Sequence, residues 1–295
     1  MKITVEYPVG GTGFDRALLS RAGVTRVVRR ADELGYDALA LTEHPAPSAR
    51  WLEAGGHETL DLTTALAFFA AATERIRLMT YLLVVPYHNP FATAKALTTL
   101  DLLSDGRLTV VAGTGYLRSE YRTLGIDFEA RNERFEESLE VMKGLWEVGA
   151  PYSFEGTHFA GSGVASLPQP FTPGGPPILV GGNSPLSRRR AARHQGWSPL
   201  LVSEQVAETT RMPHLTIPQL AAQIAELREA APGAVAVQVQ SPQSDVLRSE
   251  GSVEQHREHL GVLAAAGVDS YVVQLPVTSV DAAVEGLERY RADFG

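Results

Sequence analysis

Residues 106–120 read GRLTVVAGTGYLRSE, and this stretch decides the fold. Positions 108–112 are β-prone, Gly113-Thr114-Gly115 is a tight turn, and a polar, helix-compatible run follows from Leu117. In a βα architecture such a turn lies at the C-terminal end of a strand, where ligands bind. Two glycines around a hydroxyl let the backbone and Thr114 approach a ligand closely. Many such turns are plain connectors, so its meaning depends on its neighbours.

Upstream, 91–103 has helical spacing, 76–85 is a strand closed by Pro86, and 60–73 is an alanine-rich helix. Before these come a strand at 37–42, a helix over 21–34 capped by Gly35, and a first strand at 2–7. Downstream, Phe135, Leu139, Met142 and Trp146 recur at 3.6-residue spacing in a long amphipathic helix over 131–148. Strands at 178–181, 197–202, 235–240 and 268–275 then alternate with helices at 185–193, 217–230, 253–266 and 280–290. Only 150–177, with Gly, Pro and aromatic residues in no clear period, breaks the rhythm; a loop of that length is functional or an added substructure. Eight β-then-α units predict an α/β fold. A single (β/α)8 TIM barrel domain over 1–295 with an insertion near 150–177 is expected.

Composition removes several classes of function. The 295 residues are 44% hydrophobic, enough for one large core, and the net charge of −8 is dispersed with no basic patch, so nucleic acid is not an expected partner. Arg188, Arg189, Arg190 and Arg193 form the nearest thing to a cluster and suit one local anion. The absence of cysteine excludes disulfides, thiolate metal sites and cysteine nucleophiles. Apolar runs such as 65–72 and 82–85 are far too short to span a membrane, and no signal-peptide pattern precedes the first strand. A soluble, cytoplasmic protein is expected.

Candidate site residues lie just past the strands. The second strand delivers Glu43-His44-Pro45, and a histidine beside a carboxylate can be a general acid or base near neutral pH. The alternative is a histidine that only orders its loop. Tyr87, His88 and Asn89 follow the third strand, where either ligand contacts or a turn before Pro90 would explain them. Gly181, Gly182, Asn183, Ser184 and Pro185 follow the fifth. Free N–H groups, a hydroxyl and a helix N-terminus there form an anion pocket suited to phosphate, unless the turn is merely a capped connection. No HExxH, GxSxG or GxxxxGK[ST] motif is present, and no metal ligand set has the right spacing. A barrel with a phosphate pocket and few reactive side chains suggests a cofactor that carries the chemistry.

Several blocks together resemble the luciferase-like monooxygenase superfamily, especially its deazaflavin-dependent branch. They are TEHP at 42–45, RIRLMTYLLVVPYHNP at 75–90, the LSDGR and GTGYLRSE blocks within 100–146, YSFEGTHF at 152–159, and PPILVGGNSPLSRRR within 167–197. The resemblance implies a (β/α)8 barrel holding coenzyme F420 or FMN at the strand C-termini, with His44 beside the reactive ring and Glu43 next to it. It further implies a bulge with a non-prolyl cis peptide at Tyr81-Leu82 behind the ring. Thr114, Gly115, Tyr116 and Ser119 would lie along the ribityl chain, and Gly181, Gly182, Asn183 and Ser184 would bind the phosphate. A homodimer through the apolar helix near 62–72 is a further implication; the alternative is a barrel helix packed only on its own sheet. The chain departs from the family pattern with Glu43 for Asp, Tyr81-Leu82 for Gly-Val, and Gln195 for an acid before Gly196-Trp197. The expected activity is hydride transfer between F420 and a small organic substrate. The alternatives are an FMN-dependent monooxygenase with oxygen and a separate reductase, a non-catalytic flavin-binding homologue, and a phosphate-metabolite barrel enzyme.

Overall fold

The computed structural model describes residues 1–11, 13–147, 151–210, 212–248 and 252–294. Eight strands form a closed barrel: β1 (Lys2–Glu6), β2 (Ala38–Leu41), β3 (Arg77–Val84), β4 (Leu108–Gly113), β7 (Ile178–Gly181), β8 (Gly196–Ser198), β9 (Ala236–Val239) and β10 (Ser270–Gln274). Their order around the barrel is β1-β10-β9-β8-β7-β4-β3-β2, with parallel pairing between neighbours such as β1 and β10. The expected (β/α)8 barrel is therefore present. Inside the expected insertion, β5 (Tyr152–Glu155) and β6 (Ala160–Val164) form a separate antiparallel pair. The expected helix end at Val148 and the start of the insertion at Ala150 lie outside the described residues. The sixth barrel strand is shorter than expected, ending at Ser198, with only Leu200 bridging to Gln240 beyond it. No helix among the described residues is long and apolar enough to cross a membrane.

Contacts divide the chain into two compact units. The first comprises Met1–Ala40, Arg75–Arg77 and Ile178–Gly295, and the second Leu41–Glu74 and Leu78–Pro177. Each is built by its own chemistry.

In the first unit, Asp32 accepts the N–H groups of Arg75 and Ile76 at 3.1 and 2.7 Å, fixing the entry to β3 with a buried carboxylate. Barrel interiors are usually filled by branched apolar side chains, but here β1, β9 and β10 share a polar ladder. Thr4 and Ser270 hydroxyls donate to Gln238 Oε1 at 2.9 and 3.0 Å. The Gln240 and Gln274 amides donate to Glu6 Oε2 at 2.5 and 3.0 Å. Burial pushes the Glu6 carboxyl up, and the two amides with nearby Arg248 only partly oppose it.

The second unit carries a conventional apolar core. Phe135, Leu139, Met142 and Trp146 of the helix Arg131–Glu147 are all buried, as their spacing predicts. Trp146 Nε1 donates to Thr98 Oγ1 at 3.0 Å, satisfying the one polar atom that this burial would strand. Arg107 donates to Ala70 O at 3.0 Å and Ser104 O at 2.8 Å, placing a cation where two helices leave carbonyls unpaired. The apolar helix Leu62–Ala72 buries Leu62, Leu66 and Phe69 in the chain's own core.

Candidate active site

The loop after β2 carries Thr42, Glu43 and His44, and the three residues take three different partners. Successive residues of an extended chain point to opposite sides, so the two adjacent ionisable groups diverge. Glu43 Oε2 accepts the Val84 N–H at 2.6 Å, and Glu43 Oε1 pairs with His88 Nε2 at 2.8 Å. Both of its oxygens are thereby committed to the segment that ends β3. His44 turns the other way, and its Nδ1 lies 3.1 Å from Glu120 Oε2. The carboxylate beside the imidazole is Glu120, from the helix Arg118–Thr123, and not the sequence neighbour Glu43.

Glu120 is fully buried and fully bonded. Its Oε1 accepts the Ala46 N–H at 3.1 Å, and its Oε2 also accepts the Tyr87 hydroxyl at 3.1 Å. Burial alone would raise this carboxyl, but the His44 bond, the Ala46 N–H, the His44 charge and the Tyr87 hydroxyl outweigh it and hold it below the usual carboxylate range. An ionised Glu120 can only accept, so His44 Nδ1 carries the hydrogen and Nε2 presents a lone pair in the neutral ring. This is an imidazole oriented by a buried anion, the arrangement that general acid–base chemistry requires.

An aromatic enclosure surrounds the imidazole. Trp51 stacks on it with ring centroids 4.4 Å apart, His57 meets it edge-on at 4.9 Å, and Tyr116 edge-on at 6.3 Å. His57 Nε2 is 3.0 Å from Thr42 Oγ1, which fixes that ring to the end of β2. Trp51, His57 and Glu120 were not among the residues read from sequence as site groups. Trp51 lies in the short helix Ala49–Glu53 and His57 in the segment after it, both too short to show a period in sequence.

The bulge expected in β3 is present: pairing with β4 skips Leu82 between Tyr81 and Leu83, and the Tyr81-Leu82 peptide is cis. Tyr81 is buried, while Leu82 is half-buried and lies over Gly113, where any Cβ would come within 2.7 Å of Leu82 Cδ1. Thr114 gives its carbonyl to the Tyr121 hydroxyl. Gly115 has φ +64°, and a side chain there would strike Val84 at 2.6 Å. Tyr116 is 54% exposed at its side of the His44 ring, and Ser119 is half-buried in the helix that supplies Glu120.

Chain comparison decides the family. A family model described as luciferase-like monooxygenase matches residues 12–241. The chain belongs to that family. Within reach of sequence comparison, it is 32% identical over 170 residues to an F420-dependent glucose-6-phosphate dehydrogenase of Nocardia farcinica, covering 55% of this chain and 48% of the relative. It is 31% identical over 144 residues to an FMNH(2)-dependent dimethylsulfone monooxygenase of Pseudomonas putida, covering 48% of this chain and 38% of the relative. The chain thus spans about half the length of the curated relatives it matches, or less. In fold it is similar to the monooxygenase RslO1 of Streptomyces bottropensis, with a TM-score of 0.76 and 22% identity over 100% of this chain and 98% of the other.

The remaining residues expected from the family pattern belong to the first unit. Gly181 ends β7, and Gly182, Asn183 and Ser184 lead into the helix Pro185–Ala191. Ser184 Oγ caps that helix through the Ser187 N–H at 3.0 Å. Asn183 is buried and saturated: its amide donates to Leu200 O and Pro213 O at 2.7 and 3.0 Å and accepts the Leu200 N–H at 2.9 Å. The Asn183 side chain therefore holds the turn's shape. Beside it, at the end of β8, the buried Ser198 hydroxyl has no hydrogen-bond partner among the described residues, while the Ser198 carbonyl accepts the Gly182 N–H at 3.2 Å.

Proposed function

We propose that this protein is an oxidoreductase that transfers a hydride between coenzyme F420 and a small organic substrate, with His44 as the proton-handling group. The single observation that carries the reading is the Glu120–His44 pair, a buried carboxylate on an aromatic-walled imidazole at the end of β2. The residues fit the implied cofactor: the buried Ser198 hydroxyl beside the Gly182 turn, which has no partner among the described residues, is a feature a bound group would use. Leu82 and Tyr81 would back its ring, Thr114, Gly115, Tyr116 and Ser119 would follow its chain, and the Gly181–Ser184 turn would take its phosphate. When bound, a deazaflavin supplies two-electron hydride chemistry.

This chain's own groups then do the rest. His44 Nε2 holds a proton for a substrate oxygen or takes one from it, while Glu120 stabilises the imidazolium that forms. Trp51 and His57 restrict water around the ring, which strengthens that interaction. Glu43 acts one step away, tying the loop that carries His44 to Val84, just past the bulge. The identity to the Nocardia farcinica dehydrogenase supports F420 as the cofactor.

A second reading, an FMN-dependent monooxygenase served by a separate reductase, draws on the Pseudomonas putida relative. Titrating the purified protein with F420 and with FMN, read by quenching of cofactor fluorescence, separates the two. Saturable F420 binding with weak FMN binding, lost in Gly182→Asp, is the expected result. Tight FMN binding alone would replace the first reading by the second, and binding of neither would end both.

A further inference from the structure

Tyr87, His88 and Asn89, just past β3, go three separate ways. Asn89 Oδ1 caps the helix Pro90–Leu103 through the Phe91 N–H at 3.0 Å, and His88 pairs with Glu43. Tyr87 is buried, and its hydroxyl donates to Glu120 Oε2 at 3.1 Å. His44 Nδ1 meets that same oxygen, also at 3.1 Å. One carboxylate oxygen therefore serves two donors, while Oε1 is taken by the Ala46 N–H. All of these residues belong to the second unit.

The phenol is fixed where it stands. Its ring meets Tyr121 edge-on, with centroids 4.8 Å apart. Val84, Tyr87 and Tyr121 form one buried cluster, against which Leu82, Ile126 and Phe128 pack. The Tyr87 hydroxyl also lies beside the Gly113-Thr114-Gly115 turn, since a Cβ on Gly115 would come within 3.5 Å of it. Tyr121 gives its own hydroxyl to the Thr114 carbonyl. Two tyrosines of one cluster thus donate to different acceptors, a neutral carbonyl and a charged carboxylate. Burial, followed by the charge and hydrogen bond of Glu120, pushes the Tyr87 phenol well above its ordinary value. It keeps its proton and remains a donor.

Two donors on one oxygen divide its charge. A hydrogen bond to an ionised group is about twice as strong as one between neutral groups, so the division matters. The Tyr87 hydroxyl has two opposed effects. It favours the ionised form of Glu120, which keeps the hydrogen of the neutral imidazole on Nδ1. It also limits how strongly that anion stabilises the imidazolium, which leaves the ring able to give its proton up.

We propose that Tyr87 is a positioning residue for the acid–base pair: its hydroxyl, held by the Tyr121 ring, shares Glu120 Oε2 with His44 and so sets how readily His44 exchanges its proton. The inference rests on His44 as the proton-handling group and not on the identity of the cofactor. Besides Tyr87, His57 and Tyr116 face the pair, and Tyr121 and Glu43 lie near Tyr87 itself.

NMR titration of the His44 ring in the cofactor-free full chain, assigned with His44→Gln, reads the pair without turnover. In Tyr87→Phe the titration midpoint should rise by about half a pH unit or more, because the undivided carboxylate favours the imidazolium. Tyr121→Phe alters the same cluster but no bond to Glu120, so it should leave the midpoint in place. In turnover, Tyr87→Phe should lower kcat about three- to thirtyfold and move the kcat–pH profile to higher pH, with KM changed less than about twofold. Added to Glu120→Gln, it should move the profile no further. A purely structural hydroxyl would lower the thermal midpoint of Tyr87→Phe and leave the ring titration and the pH profile unmoved, which overturns the inference. An equal shift in Tyr121→Phe overturns it too. If the parent binds neither F420 nor FMN while the ring titration still responds to Tyr87→Phe, the cofactor reading fails and the role of Tyr87 stands.

Discussion

Three histidines of the second unit and two of the first are handled in opposite ways. In the second unit His44, His88 and His158 each face a carboxylate, Glu120, Glu43 and Glu133, at 3.1, 2.8 and 3.1 Å. In the first unit His256 and His259 face hydroxyls instead: Tyr290 at 3.1 Å and Ser241 at 2.9 Å. Burial lowers both of the latter, His256 to about 4, with the neighbouring His259 adding to its shift. The groups packed on His256 are aromatic or hydroxylic, Tyr271, Tyr290 and Phe294, together with His259. The carboxylate at His88 favours a protonated imidazole, whereas the surroundings of His256 and His259 oppose one. Only the first arrangement serves proton transfer, and that is where the candidate active site lies.

The largest expected effect tests whether the carboxylate-facing arrangement is functional. His44→Gln should lower kcat by about 10²- to 10⁴-fold with F420 affinity changed only severalfold. Glu120→Gln should lower it less, and combining the two should add little to His44→Gln alone, because groups acting as a unit are not additive. Additive losses in steady-state kinetics would mean that Glu120 does not act through His44.

A smaller effect tests the forbidding arrangement. His256 has a folded value below its unfolded one, so the unfolded chain binds more protons between about pH 6.5 and 4 and stability falls as pH drops through that window. The loss is about 2 kcal/mol once solvent screening is allowed for. Chemical denaturation of His256→Phe should lack this part of the acid loss, and an unchanged pH slope would refute it.

The smallest effect has the opposite sign. Burial alone would lower His88, but the bond and charge of Glu43, with Asp61 behind them, raise it above the ordinary histidine value. Its stabilisation is therefore present in full below about pH 6.5 and is lost as pH rises through the raised value. His88→Gln should cost about 0.5–1 kcal/mol at pH 6 at this partly exposed position and progressively less above neutrality. A cost that grows with pH would break the contrast between the units.

The barrel was legible because strand-then-helix periodicity is local, and it survived errors at individual ends such as the shortened β8. His44 was legible for its place just past a strand, and the bulge at Tyr81-Leu82 through family resemblance. The partner of His44 was not. Glu43 is its neighbour in sequence, but backbone alternation sends the two side chains apart, and Glu120 arrives from 76 residues away. The visible signal was a carboxylate shortly after the Gly113-Thr114-Gly115 turn, in a run too short to show a helical period. Trp51 and His57 carried still less, since a five-residue helix and the segment after it have no pattern to set them apart. Asn183 shows another limit: a polar side chain in a glycine turn suggests a ligand contact from the side chain, and in the fold that side chain bonds Leu200 and Pro213.

The contact between Leu82 and Gly113 has a consequence for how this site can diverge over generations. Leu82 stands outside the β3–β4 register, so its side chain can be exchanged without moving any strand pairing. Gly113 is tied to its neighbour: an added methyl would sit 2.7 Å from Leu82 Cδ1, so the leucine must turn aside or be trimmed to admit it. Change at the two positions is consequently coupled: a lineage that trims residue 82 first lets residue 113 grow without displacing anything, whereas one that begins at 113 must move the leucine as well.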